Sequence, residues 1–386
     1  MTKENLEIAK ETALQSIVLF KNEKNILPLT THKKVAIVGS LAKDRINQLG
    51  CWVLDVDTTK VITPLEALRQ ALGNKASIKF EKALPDCRSL DTSNFTKISG
   101  NLKSCDVILF FAGEDARLSG EAHSRAFLDL PGAQNELFEL LVRTGKPVVT
   151  IIMAGRPLTI ENIQEKSAAI LYAWHPGTMG GEAIADILLG IANPSGKLPV
   201  SFPRTVGQIP VYYNHFNTGR PADPSERLGA NTGTPLDPYR FTSKYVDVEP
   251  SPLYSFGFGL SYTTFVFEKL ELSSRQIGMD GEIIVKCNVS NTGNRAGYEV
   301  AQLYVRDRVA SLTRPVKELK AFEKTYIEPG QMKTVEFRLK TSDLGFYNYE
   351  NVFVIEPGEF DVWVGASSDG GQHGTFSIAS PLKYDR

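Results

Sequence analysis

The sequence predicts an α/β domain, with a mostly parallel sheet sandwiched by helices, followed by an all-β sandwich of immunoglobulin-like type. Three observations carry this. Short runs that are apolar throughout alternate with helix-like stretches in the first half of the chain. A proline-rich stretch then interrupts regular structure. Beyond it, apolar residues recur with period two between turn signals. The boundaries this implies are 1–205 for the α/β domain, 206–262 for a Pro-rich connector and 263–386 for the sandwich.

Leu6, Ala9, Ala13, Leu14, Ile17 and Val18 recur at helical spacing, so the chain is expected to open with an amphipathic helix. The runs Val35–Val38, Val107–Phe111, Val148–Met153 and Ala169–Trp174 are short, rich in β-branched or aromatic residues, and closed by glycine or polar residues. Helix-like stretches at Pro64–Leu72, Gln134–Val142 and Ile184–Leu189 lie between or after them. Strands apolar on both faces and separated by helices indicate a parallel sheet covered on both sides. Ligands meet such sheets at the loops past the carboxyl ends of the strands. Here those loops are Ser40–Trp52, Gly113–Arg125, Gly155-Arg156-Pro157 and His175–Gly181. Prolines 203, 210, 221, 224, 235, 238, 250 and 252 mark a long ordered connector or wrapping loop. After Phe265, runs such as Ile283–Val285, Val300–Val305, Val335–Leu339 and Phe360–Val364 end in turns at Asn291-Thr292-Gly293, Glu328-Pro329-Gly330 and Glu356-Pro357-Gly358. Several short strands with turns at such spacing argue a sandwich.

Composition excludes several function classes. The 386 residues are 42% hydrophobic and 23% charged, ordinary for a globular protein of two domains. A net charge of −1 supplies no field for nucleic acid or an anionic membrane. No apolar run approaches the ~20 residues that span a bilayer. Met1–Lys10 reads as a charged helix rather than a signal peptide, since no apolar segment follows a basic start. The four cysteines, Cys51, Cys87, Cys105 and Cys287, have no zinc-type spacing and are expected as free thiols.

Among residues able to do chemistry, Glu121 stands out. It lies in the loop Gly120-Glu121-Ala122-His123-Ser124-Arg125, downstream of the apolar run Val107–Ala112. A carboxylic acid that protonates a departing oxygen near neutral pH needs partial desolvation, which a loop over a cleft provides. The ordinary alternative is a solvated loop glutamate. Arg117 and Arg125 flank Glu121 at four residues either side; they either position a substrate or pair with Glu114, Asp115 or Asp129 on the surface. His123 and His175 fall on carboxyl-end loops, whereas His32, His215 and His373 are scattered. Trp52 and Trp174 adjoin glycine-rich loops, and each either stacks on a sugar ring or packs internally. The segment Gly190–Lys197 imitates a phosphate loop, but five residues lie between its glycines, where four are needed, and leucine follows the lysine. Val35–Gly39 never develops the glycine pattern of a dinucleotide site. No H-E-x-x-H metal motif and no G-x-S-x-G nucleophile elbow occurs. Neither a metal site nor an organic cofactor is expected.

Several longer segments carry a resemblance. Ser16–Glu23 followed by Leu27-Pro28-Leu29 resembles the opening of the second domain of glycoside hydrolase family 3 enzymes, and Asn193–Pro203 resembles the end of that domain. Leu253–Phe265 resembles the entry into the family's third, fibronectin type III-like domain. Thr313–Lys320 and Phe322-Glu323 match that domain's interior. The motifs keep their order across nearly the whole chain, and the nearest resemblance is to periplasmic bacterial β-glucosidases. The resemblance implies a retaining two-carboxylate mechanism acting on terminal β-D-glucosyl residues. It places the general acid/base on Glu121, because Gly120, Glu121, Ser124 and Arg125 match the family's G-E-x-x-[SD]-R setting. Arg125, His123 and Trp52 are the expected substrate-binding residues. A periplasmic or secreted location follows from the resemblance alone.

The family's nucleophile is an aspartate on an N-terminal (β/α)₈ barrel, which takes ~200 residues or more. These 386 residues show no eightfold βα pattern. Ser342-Asp343-Leu344 is the one superficially similar segment, and it falls in the sandwich, where a nucleophile would be stranded. Thr178-Met179 also departs from the Gln or Glu that relatives carry beside the paired glycines Gly180 and Gly181. The expected partners are therefore a β-glucoside or oligosaccharide and an N-terminal barrel domain or chain. The competing reading is a non-catalytic truncated or split module that binds a partner domain or a glycan. Its uncovered docking face would favour association into homo-oligomers. A nucleotide-binding α/β domain would share the parallel sheet but lacks its phosphate loop.

Overall fold

The computed structural model describes residues 1–29, 34–222 and 241–379. His32 and prolines 224, 235 and 238 lie outside the described residues. The chain divides into two compact units, 1–197 with 203–209 and 259–262, and 198–202 with 210–258 and 263–386. The stretch expected as a connector is thus shared out between the two. Tyr213 shows why 210 onward goes with the sandwich. Its ring stacks on Phe256 at 4.3 Å and meets Tyr304 edge-on at 5.8 Å, and its hydroxyl accepts from the Leu319 amide at 3.2 Å.

The first unit runs α1 (Lys3–Ser16), β1 (Val18–Asn22), β2 (Lys34–Val38), α2 (Pro64–Leu72), β3 (Ser77–Glu81), α3 (Phe95–Leu102), β4 (Val107–Gly113), α4 (Gln134–Arg143), β5 (Val148–Met153), α5 (Glu161–Lys166), β6 (Ala169–Tyr172) and α6 (Gly180–Leu188). Its six strands lie in the order β1-β6-β5-β4-β2-β3, all parallel except β1, which pairs antiparallel with β6. Every residue of β4, β5 and β6 is buried, as a sheet covered on both faces requires.

The opening helix is shorter than its periodicity suggests. It stops at Ser16, and Val18–Asn22 becomes the edge strand. Ile17, Val18, Leu19 and Phe20 are all buried. A helix with one core-facing stripe cannot bury four successive side chains, whereas a strand between two layers can. The edge strand β3 escapes the pattern because Ser77-Ile78-Lys79-Phe80-Glu81 carries polar residues at alternate positions and is only partly buried. The short helices α3 and α5 also lack a readable pattern. α2 needs no tertiary help to start: Thr63 and Glu66 form a reciprocal capping box, with Pro64 in the first turn.

In the second unit, β7 (Phe265–Leu272), β8 (Gln276–Ile277), β9 (Glu282–Asn291), β10 (Gly297–Asp307), β11 (Glu318–Ile327), β12 (Met332–Lys340), β13 (Phe346–Tyr347), β14 (Phe353–Val354), β15 (Gly358–Gly365) and β16 (Gln372–Ile378) follow in order. They form a five-stranded sheet β11-β10-β15-β16-β8, a three-stranded sheet β12-β9-β7 and the small hairpin β13-β14. Period two is kept strictly: Ile283, Val285, Cys287 and Val289 of β9 and Val335, Phe337 and Leu339 of β12 are buried beside Leu303, Val305, Val362 and Val364 from the other sheet. Asp343 caps the turn after β12, its carboxylate accepting from the Lys340 amide at 3.0 Å. That assigns it a local structural task.

One carboxyl in this unit is unfavourably placed. Asp307 is buried at the end of β10, and burial, reinforced by Glu356 and Glu318, pushes its pKa up to about 6 against the pull of the Val309 amide and Arg314. The folded unit therefore holds this proton more tightly than the unfolded chain does. Stability from this group is complete below the unfolded value and is lost as pH rises through about 6. Asp307→Asn is expected to raise the unit's denaturant midpoint at pH 7 and to have little effect at pH ~4, close to the ordinary aspartate value. Urea unfolding at the two pH values, followed by Trp363 fluorescence, checks this.

Candidate active site

The strand order fixes where a site can form. From β2 the chain moves to β3 on one side and returns through β4 on the other, so the loops leaving β2 and β4 diverge at their carboxyl ends. This is a topological switch point, the usual place for a crevice in an open α/β sheet. The loop after β2 carries Trp52, and the loop after β4 carries Glu121.

The loop after β4 is held at its root. Gly113 has φ of +146°, and a Cβ there would stand 1.8 Å from the Met153 carbonyl oxygen, so no other residue fits. The buried Gln134 side chain accepts from the Gly113 amide at 2.9 Å and donates back to the Gly113 carbonyl at 2.8 Å and the Cys87 carbonyl at 2.8 Å. Asp115 caps the next turn, accepting from the Arg117 amide at 2.9 Å. Two guanidinium hydrogen bonds from Arg117 hold its carboxyl below the usual aspartate range. Asn47, on the loop after β2, accepts from the Ala116 amide at 2.9 Å and so ties the two loops together.

Glu114 turns inward and is fully buried. Its Oε1 accepts from Arg125 Nη1 at 2.6 Å and lies 3.2 Å from Arg156 Nε, and Ser119 Oγ donates to its Oε2 at 3.3 Å. The guanidiniums then reach the loop backbone. Arg156 Nη2 donates to the carbonyls of Leu118 and His123, the latter at 2.8 Å, and Arg125 Nη2 donates to the Asp129 carbonyl at 2.8 Å. The pairing of Arg125 with Glu114 is therefore an internal ion pair, where the sequence suggested a surface one.

Between these anchors the loop turns outward. Gly120 has φ of +102°, and a Cβ on it would come 2.8 Å from Cys51 Sγ and 3.7 Å from the Trp52 ring. The segment bearing Glu121 therefore lies against Cys51-Trp52. Ala122 follows with φ of +59°. Glu121 and His123 are both exposed, and His123 Nδ1 stands 2.6 Å from the Glu121 carbonyl. Trp52 is 71% exposed. Trp174 is half-buried, edge-on to Tyr172 at 4.8 Å, which favours internal packing for it. His175 lies beside Gly50, with Nδ1 3.1 Å from the Asn47 carbonyl; burial lowers its pKa and keeps the ring neutral. Gly180 and Gly181 open α6. Among the described residues, no group of three or more His, Cys, Asp or Glu side chains is arranged to hold a metal, and the cysteines are free thiols.

A model of the glycosyl hydrolase family 3 C-terminal domain matches residues 17–262, and a fibronectin type III-like domain matches 299–368. The chain belongs to glycoside hydrolase family 3. It is 39% identical to a periplasmic beta-glucosidase of Salmonella typhimurium, over 96% of this chain and 49% of the relative. It is 37% identical to a beta-xylosidase of Formosa agariphila, over 98% of this chain and 50% of that protein. The crystal structure of a beta-glucosidase from Listeria innocua in complex with isofagomine matches it with a TM-score of 0.90 and 36% identity, over 98% of this chain and 50% of that one. The chain spans about half the length of the curated relatives it matches, and corresponds to their C-terminal half. Among the described residues no helix is long and apolar enough to cross a membrane.

Of the residues singled out from the sequence of this family 3 chain, Glu121, His123 and Trp52 come together at the switch point, while Arg125 points inward. Sequence reasoning gave Gln134 and Asn47 no role, placed Arg156 only on a carboxyl-end loop, and offered Glu114 only as a surface partner of the flanking arginines. The further signal at Glu114 is a charge directly after a seven-residue buried strand. Gln134→Leu would strip both partners from the Gly113 peptide groups and is expected to cost about 2–4 kcal/mol in chemical denaturation. Gln134→Glu keeps the acceptor but turns a second carboxylate oxygen on the carbonyls of Cys87, Gly113 and Pro131, and should cost at least as much at neutral pH.

Proposed function

We propose that this chain supplies the general acid/base, Glu121, of a retaining β-glycosidase whose nucleophilic carboxylate sits on a (β/α)₈ barrel domain. The observation that carries the reading is the placement of Glu121. It is an exposed carboxylate at the switch point of the sheet, on a loop whose carbonyls are held by Arg156, Arg125 and His123. In the first step Glu121 protonates the departing glycosidic oxygen while the barrel's carboxylate attacks the anomeric carbon. In the second step Glu121 removes a proton from the water that hydrolyses the glycosyl-enzyme. The two carboxyls of such a pair stand about 5–5.5 Å apart across the scissile bond, so the barrel must dock over this loop.

The surface beside Glu121 suits that docking. Trp52 and Leu54 both project from the loop after β2, and Leu54 is fully exposed. A domain covering them would remove apolar surface from water and give Glu121 the partly dry setting a general acid needs near neutral pH. Trp52 offers a ring face to a sugar, and His123 offers a polar group beside Glu121. Arg125 contributes by holding the loop. The relatives named as beta-glucosidases and a beta-xylosidase support a β-linked glucoside or a close pentose analogue as substrate. The periplasmic relative supports an extracytoplasmic location.

The same exposed pair also supports a module that only binds a partner, and one experiment separates the two. An aryl β-glucoside is assayed with this chain alone, with the chain plus a separately produced barrel, and with Glu121→Gln in the mixture. Activity is expected only in the mixture, and Glu121→Gln should lower it by about 10²–10⁴-fold. Binding of the two pieces without turnover would reject the catalytic reading. Turnover by the chain alone would show that it carries its own nucleophile.

A further inference from the structure

Three side chains hold the backbone around Glu121, the exposed His123 and the mostly buried Arg125 and Arg156, and the two arginines converge on one group. Arg156 bridges the carbonyls of Leu118 and His123, three residues before and two after Glu121. Arg125 fixes the Asp129 carbonyl at the downstream end of the loop, and the His123 ring fixes the Glu121 carbonyl itself. Both guanidiniums are turned toward Glu114 Oε1, while Ser119 donates to Oε2. Arg125 and Arg156 are themselves mostly buried. Two guanidiniums in a low-dielectric setting repel each other and lose hydration, so they share that space only with a counter-charge between them.

We infer that Glu114 is the positioning residue of the acid/base loop: its buried carboxylate holds Arg125 and Arg156 in place, and Arg156 in turn sets the backbone on which Glu121 projects. The inference rests on the reading of Glu121 as acid/base. It assigns Glu114 no contact with substrate and no proton transfer. With the Leu118 and His123 carbonyls both held by Arg156, the Glu121 side chain between them is exposed. Loss of Arg156's bridge therefore releases the Glu121 carboxyl from its position over the crevice without altering its chemistry. A misplaced acid loses most of its catalytic benefit while the bulk of the domain stays folded.

The test uses two substitutions. Glu114→Gln keeps the shape but offers two guanidiniums one neutral acceptor. It endangers folding, because unpairing a buried ion costs several kcal/mol. Arg156→Lys keeps the charge, but one ammonium cannot stand both where Nε faces Glu114 and where Nη2 holds the two carbonyls, so it serves where Glu114→Gln does not fold. Hydrogen exchange on this chain alone is the first readout. Amides of residues 119–124 should exchange about tenfold faster or more in either variant, while those of β4 and β5 keep their protection. Unchanged exchange in the loop overturns the inference.

The second readout is leaving-group dependence, with the chain assembled with its barrel. A dinitrophenyl β-glucoside departs without protonation, whereas a methyl β-glucoside needs the acid. For the variants, kcat/KM on the methyl glucoside should fall about 10²-fold and on the dinitrophenyl glucoside by less than about threefold. Equal losses on both substrates would make Glu114 a merely structural residue and overturn the proposal. Glu121→Gln, run in parallel, must show the same split. If it does not, the acid/base reading fails, and that failure is distinct from one in which Glu121→Gln shows the split and the Glu114 and Arg156 variants do not.

Discussion

The ion cluster at Glu114 is the constraint on which the candidate site depends. A carboxylate with no solvent exposure accepts from Arg125 and lies at ion-pair distance from Arg156, and the two guanidiniums donate to carbonyls of a loop whose regular structure is a single 3-10 turn at Ala116–Leu118. In water such contacts would be worth little. Buried, each is costly to break, because the partner left behind has no water to replace it. That asymmetry turns an irregular loop into a defined surface. It also explains why the loop can be built from residues such as Gly120 and Ala122 in left-handed conformations: the backbone strain is offset by the anchoring on either side.

The sheet supplies the complementary constraint. Because β2 is flanked by β3 and β4, the loops leaving β2 and β4 part company and leave room between them. Asn47 and Gly120 then set how closely the two loops approach, the first through its bond to the Ala116 amide and the second by having no side chain where Cys51 sits. The result is one exposed acidic group on a loop that lies against Cys51 and the exposed Trp52. On the proposed reading this is half of a two-carboxylate site.

Legibility followed burial. The strands β2, β4, β5 and β6 were readable because residues apolar on both faces leave an unambiguous mark, and the strands β9, β10, β12 and β15 because alternation does the same for a sandwich. Ile17 and Val18 read as helix because they continue the spacing set by Leu6, Ala9 and Ala13, and only the pairing of β1 with β6 decides against it. β3 and the helices α3 and α5 were missed because they carry few buried residues. At the site, Glu121, His123 and Trp52 were reachable from loop position and motif. Arg125 was identified, but its direction could not be read, since an arginine four residues from a glutamate in a loop has no preferred face.

By itself the sequence determined the layer architecture, the two kinds of domain, the membership signalled by ordered motifs from Ser16 to Glu323, and the loop on which Glu121 lies. Each is a local property, written in periodicity or in contiguous residues. Tertiary structure alone decided the strand order that creates the switch point, the antiparallel edge strand, the division of 206–262 between two units, and the burial of Glu114 between Arg125 and Arg156. The physical reason is that an ion pair inside a protein depends on which strand ends lie side by side. Glu114, Arg125 and Arg156 come from the loops after two neighbouring strands, and nothing in the spacing of residues along the chain records that β4 and β5 are neighbours.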